Sequence, residues 1–93
     1  MSLSVHVPMI HLNGTAAEDL EEQLRNAIEG CDALLIALNA CTPHGRDYYP
    51  YGAERIHEAL KDHSKRYAAV SQIRCQLELI VLGIQEQEGA RKC

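Results

Sequence analysis

Two apolar runs at alternating three- and four-residue spacing, split by one loop rich in Pro and Gly, constrain this 93-residue chain most. In the first run, apolar residues recur at 20, 24, 27, 28, 31, 34, 35 and 38, the spacing of an amphipathic helix. In the second, the stripe is Ile56, Leu60, His63, Tyr67, Val70, Ile73, Leu77, Ile80 and Ile84. The expectation is an all-α fold: a long antiparallel helical hairpin with a short extended N-terminal arm. The boundaries read as an arm over 1–14, a helix over 15–41, a loop over 42–52, a second helix over 53–87 and a frayed tail over 88–93.

Local signals set those boundaries. Pro8 holds the arm extended, and Met9 to Leu12 could form a short strand. Asn13-Gly14 is a turn signal. Thr15-Ala16-Ala17-Glu18 has the form of a capping box, in which the Thr15 hydroxyl meets the Glu18 N–H. Glu18, Asp19, Glu21 and Glu22 suit the positive end of the helix dipole. Two Pro and two Gly are expected to keep 42–52 out of helix.

From Leu77 to Ile84 the apolar residues spread around most of the circumference of the second helix. One partner helix cannot cover that surface, and 93 residues bury little of their own. Self-association into a helical bundle follows as an expectation, as a dimer or a multiple of dimers.

Composition narrows the function. The net charge is −4, too acidic for a chain that neutralises long stretches of phosphate, so no long nucleic acid is expected as partner. Residues 1–45 hold six acids and one base, and residues 46–74 hold six bases and four acids. The two halves would attract each other when packed side by side. The basic run Arg55, Lys61, Lys65, Arg66 reads as a solvated face paired with the acidic first helix, where exposed pairs are weak. Arg74 and His63 fall on the apolar stripe, where a charge needs a partner and a histidine reads as a satisfied core residue. Cys31, Cys41, Cys75 and Cys93 form no CxxC pair and no zinc spacing, so no metal or cofactor is expected. With no leader sequence to read, the thiols are expected to be reduced in a cytosol. No apolar run reads as long enough to span a bilayer, and no membrane partner is expected. The catalytic motifs of the common hydrolases, kinases and zinc enzymes are missing, so an enzyme is disfavoured.

Two polar motifs carry what chemistry there is. His11-Leu12-Asn13-Gly14-Thr15 precedes a helix N-terminus, where free N–H groups can meet an anion. The plain alternative is that Asn13 and Thr15 only cap the helix. His44-Gly45-Arg46-Asp47-Tyr48-Tyr49-Pro50-Tyr51 combines a guanidinium that grips phosphate or carboxylate with rings that stack on a base. Its alternative is a structured connection with Arg46 paired to Asp47. The motifs lie at opposite ends of a rod of roughly 40 Å. A joint site therefore requires two subunits, related by a twofold axis.

The two motifs together, over roughly residues 10–84, resemble a group of short proteins encoded in tailed-phage genomes. More loosely, the chain is similar to phage "sponge" proteins, small oligomers that sequester the nucleotide signals of bacterial immunity. That resemblance implies a non-enzymatic immune-evasion protein in the host cytoplasm. It would withhold a cyclic oligonucleotide or ADP-ribose derivative at subunit interfaces. In that reading Arg46 and the N–H groups of Gly14 and Thr15 hold phosphates, and Tyr48 or Tyr49 stacks on the base. Asn13, His11, His44 and Asp47 bond base edges or ribose. The rival expectations are a module that docks a host or phage protein and a minor phage assembly component.

Overall fold

The computed structural model describes residues 4–92, with side chains placed through Ala90. Residues 1–3 of the arm and Cys93 of the tail lie outside the described residues. Helix α1 is Ala17–Ala40, α2 is a single turn at Gly45–Tyr48, a 3₁₀ turn follows at Tyr49–Tyr51, and α3 is Ala53–Lys92. The two long helices pack antiparallel along a rod of 63 × 23 × 20 Å. The fold is the all-α hairpin that the apolar spacing implies, and no strand forms among the described residues.

The seam between α1 and α3 has a different character along its length. Ile84 is fully buried, Val81 and Ala17 nearly so, and all three lie at the end where α1 begins. Toward the loop, the buried residue is His63, whose Nε2–H donates to the Leu38 carbonyl at 2.8 Å. This bond comes from the opposite helix and meets a carbonyl of the last turn of α1, a turn that has no basic residue of its own. The Thr42 hydroxyl closes the adjacent Asn39 carbonyl at 2.9 Å. Midway along the seam, the Arg74 Nε–H donates to Asp32 at 2.5 Å, and its Nη1 bonds Glu78 on its own helix. These partners, Asp32 first and Glu78 second, hold the guanidinium well above its ordinary range.

The arm covers part of what α1 leaves open. Gln87 grips its backbone twice: the Ile10 N–H donates to Oε1 at 2.9 Å, and Nε2 donates to the Pro8 carbonyl at 2.7 Å. Val7 lies flat on Gly83, where a methyl group would come within 2.7 Å of the valine. The broad apolar zone from Leu77 to Ile84 is thus shared by α1 and the arm, with Leu79 and Leu82 left out.

Several boundary expectations fail for local reasons. The cap of α1 is Ala16, in extended conformation and without a side-chain bond, so Thr15 stands one residue too early to close a capping box. Ala17, the first residue of the helix, is buried. The segment 42–52 is not free of helix: the His44 side chain caps α2, and Pro50 fits the first turn of the 3₁₀ helix, where its missing N–H costs nothing. Gly52, at φ 98°, then turns the chain into α3. The last helix does not fray at Glu88 but continues to Lys92. The two bonds of Gln87 to the arm tie that turn down.

Stripe membership is also uneven. Ile73 is 51% exposed and Leu60 37%, so neither is covered by α1. The basic run Arg55, Lys61, Lys65, Arg66 makes no ion pair with α1 among the described residues, where Arg74–Asp32 is the cross-helix pair. By length and composition alone, α3 is apolar enough to cross a membrane, with an 18-residue window of mean hydropathy 1.2, in contrast to the reading from the sequence. Every such window contains Arg74 and Glu78, which divide the apolar residues on paper without lowering the mean enough.

Candidate functional site

The structure places the nine candidate residues in two groups, one at each end of the rod. At the arm end, the Gly14 N–H donates to the His11 carbonyl at 3.1 Å, closing the turn that Asn13-Gly14 signalled. The His11 ring folds over Gly14: a methyl there would meet Nε2 at 2.7 Å. The Gly14 N–H is therefore committed to the turn rather than open to a phosphate. Asn13 and Thr15 are exposed, and their side chains make no hydrogen bond among the described residues. The clefts around this turn are lined by Glu18, Glu21 and Glu88, which repel an anion at short range. The helix dipole alone does not make this end a phosphate site against those carboxylates.

The loop end has the opposite character. His44 Nδ1 accepts from the Arg46 N–H at 3.2 Å, and the His44 carbonyl accepts from the Asp47 N–H at 3.0 Å. That leaves His44 Nε2 and the side chains of Arg46 and Asp47 along one open cleft with Tyr48. Tyr48 and Pro43 are also walls of a neighbouring cleft of about 310 Å³ against α3, closed by Tyr51, Arg55, Asp62 and Arg66. A cleft of this size is at the lower end of the range for small-molecule sites. Tyr49 takes no part: it is 83% exposed and lines neither cleft.

The second cleft contains residues that the spacing of α3 does not single out. Arg55, Glu58, Asp62 and Arg66 recur every three to four residues, as any solvated helical face does. What distinguishes them is the return of the folded loop over them, which sets Tyr48 and Tyr51 beside the two guanidinium groups. Among the described residues, Arg46, Arg55 and Arg66 have no ion-pair partner. Arg46 is not paired to Asp47, which removes the simplest account of that motif as a closed turn. The cleft also carries Glu58 and Asp62, so it is mixed in charge rather than basic.

His11, Asn13, Gly14 and Thr15 cannot reach His44, Arg46, Asp47 or Tyr48 within one chain. The 24 residues of α1 between them amount to roughly 36 Å of helix. Among the described residues no group of three or more His, Cys, Asp or Glu comes together as a metal site. No protein-family model matches the chain, and neither a curated protein nor a solved structure does.

Proposed function

We propose that the chain is a non-enzymatic binding protein, phage-encoded, that works as an oligomer of helical hairpins and withholds a nucleotide-derived signal. The observation that carries the reading is the loop-end pair of clefts. Arg46 shares one cleft with Tyr48, and Arg55 and Arg66 share the other with Tyr48 and Tyr51. None of the three has an ion-pair partner among the described residues. Guanidinium beside ring is the combination that holds an anionic group and a planar ring together. Sequestration needs affinity and slow release, not turnover, and guanidinium, ring and hydrogen-bond contacts supply both. Arg46, Arg55 and Arg66 take the phosphates. Tyr48 and Tyr51 stack on the base, and His44 Nε2 and Asp47 bond the sugar or a base edge. The arm-end residues His11, Asn13 and Thr15 join only where a second subunit brings them to the loop.

Calorimetric titration with a panel of cyclic dinucleotides, cyclic trinucleotides and ADP-ribose forms tests this. One class binds, and Arg46→Ala or Arg55→Ala weakens it by about tenfold to a hundredfold, the worth of one charge-assisted bond. Chromatography finds the nucleotide unchanged after incubation. A panel with no binder, or a binder indifferent to both substitutions, rejects the ligand reading.

One observation favours a second reading. Met9 and Leu12 are 80% and 96% exposed on an arm that is otherwise held to α3. An apolar pair presented this way suits a protein partner. Recovery of one stoichiometric protein from host lysate, with no small molecule carried along, would support docking in place of sequestration.

A further inference from the structure

The chain exposes far more surface than a folded chain of its mass normally does. Its accessible surface is 7076 Å² for 10.4 kDa. A compact monomer of that mass exposes about 5,400 Å², so the excess is roughly 1,700 Å². A stable interface takes about 800 Å² from each partner. The surplus is enough for one, and part of its apolar surface lies on the face of α3 that also bears the loop-end cleft and the arm. Arg66, Ile73, Ile80 and Gln87 are each seven residues apart, two helical turns, so they share one face of α3. Arg66 closes the loop-end cleft at the top of this face, and Gln87 grips the arm at its foot. Between them Ile73 is half exposed and Ile80 half buried. The other flank of the hairpin is mixed: Arg25, Glu29, Arg74 and Glu78 stand there around Ile28, Val81 and Leu82, with Leu82 54% exposed. Leu34 of α1, 47% exposed, is off that flank by its spacing from Ile28 and Asp32.

We infer that a second copy of this chain covers the Ile73 face in an antiparallel dimer, with the twofold axis at Ile73, so that each arm closes the partner's loop-end cleft. The inference rests on the self-association in the proposed function and gives it a face and a register. About an axis at Ile73, position 73+n meets position 73−n. Ile80 then meets the partner's Arg66, and Gln87 meets the partner's Ala59, itself in the cleft wall. The arm, seated over 83 and 87, lies across that cleft. Met9 and Leu12 reach tyrosine rings, and His11 and Asn13 come beside Arg46 and Asp47. Charge selects the antiparallel arrangement. Residues 17–30 and 84–90 carry seven acids and one base, while residues 41–66 carry five bases and four acids. A parallel pair would set the acidic ends together.

The test uses the full chain with its four cysteines replaced by alanine and one new cysteine added. Ile73→Cys crosslinks to itself through a short bismaleimide in high yield, because the axis passes through it. Ile36→Cys, 71% exposed on the other flank, does not. In a mixture of Met9→Cys and Tyr51→Cys chains, the crosslink joins one of each. Ile73→Asp, at an exposed position that leaves the fold intact by circular dichroism, weakens dimerisation by about a hundredfold in sedimentation equilibrium. A dimer that crosslinks through Ile36→Cys and not Ile73→Cys overturns the register while the ligand reading stands. A monomer at all concentrations overturns the dimer. If that monomer binds a nucleotide, the loop-end cleft works alone; if it binds none, the proposed function falls with it.

Discussion

The two ends of the rod are built on opposite plans. At the arm end, Ile84, Val81 and Ala17 are buried, and Gln87 fixes the arm with two hydrogen bonds to its backbone. At the loop end nothing from Cys41 to Asp62 is buried, and the segment is held by short-range bonds such as His44 to Arg46. Apolar burial is the larger energy, so the arm end carries the stability of the hairpin. In the proposed function the loop end carries recognition, and its tyrosines and arginines contribute little to the core. The difference teaches where each kind of substitution should be felt.

Truncating the core at the arm end has the largest effect. Ile84→Ala removes a side chain with no solvent exposure and costs about 2–5 kcal/mol in urea denaturation. It leaves nucleotide affinity unchanged in the fraction that remains folded; a cost below 1 kcal/mol would place the core elsewhere. Next comes His63→Ala, the link between the halves. It loses the bond to Leu38 and its packing, roughly 1–3 kcal/mol, and hydrogen exchange quickens in the last turn of α1. Gln87→Ala follows at about 1–2 kcal/mol for two bonds, with faster exchange at the Ile10 N–H. Should Ile10 stay protected, the arm is held by something other than Gln87. Smallest is Tyr49→Ala, within about 0.5 kcal/mol as a surface substitution and without effect on ligand, whereas Tyr51→Ala is equally mild for stability but weakens binding. Equal binding losses from both would remove the distinction between a ring that lines the cleft and one that does not.

Much of the hairpin is legible in the sequence because a helix repeats its environment every turn. The apolar spacing gives both long helices, and the polar residues that interrupt it, His63 and Arg74, are the ones that find specific partners in Leu38, Asp32 and Glu78. Contacts between distant segments leave no such period. The seating of Val7 on Gly83 joins residues 76 apart, and nothing around either of them signals it. Helix starts are equally hard to read: Ala16 takes the cap position of α1 with no side-chain bond, and Thr15 is bypassed. In the loop, Pro and Gly mark where the chain bends but not that two helical turns form between the bends. Of the candidate site, Arg46, His44, Asp47 and Tyr48 are found together at one cleft. Arg55 and Arg66 are missed because a helical wheel cannot tell a solvated face from one that a loop folds over.

The central claim is that this hairpin is half of a dimer that holds a small ligand. Native mass spectrometry of the purified chain, before and after incubation with the nucleotide panel, tests it most directly. The account predicts a species at twice 10.4 kDa that gains two ligands of one nucleotide class. A species at the mass of one chain that gains none contradicts it.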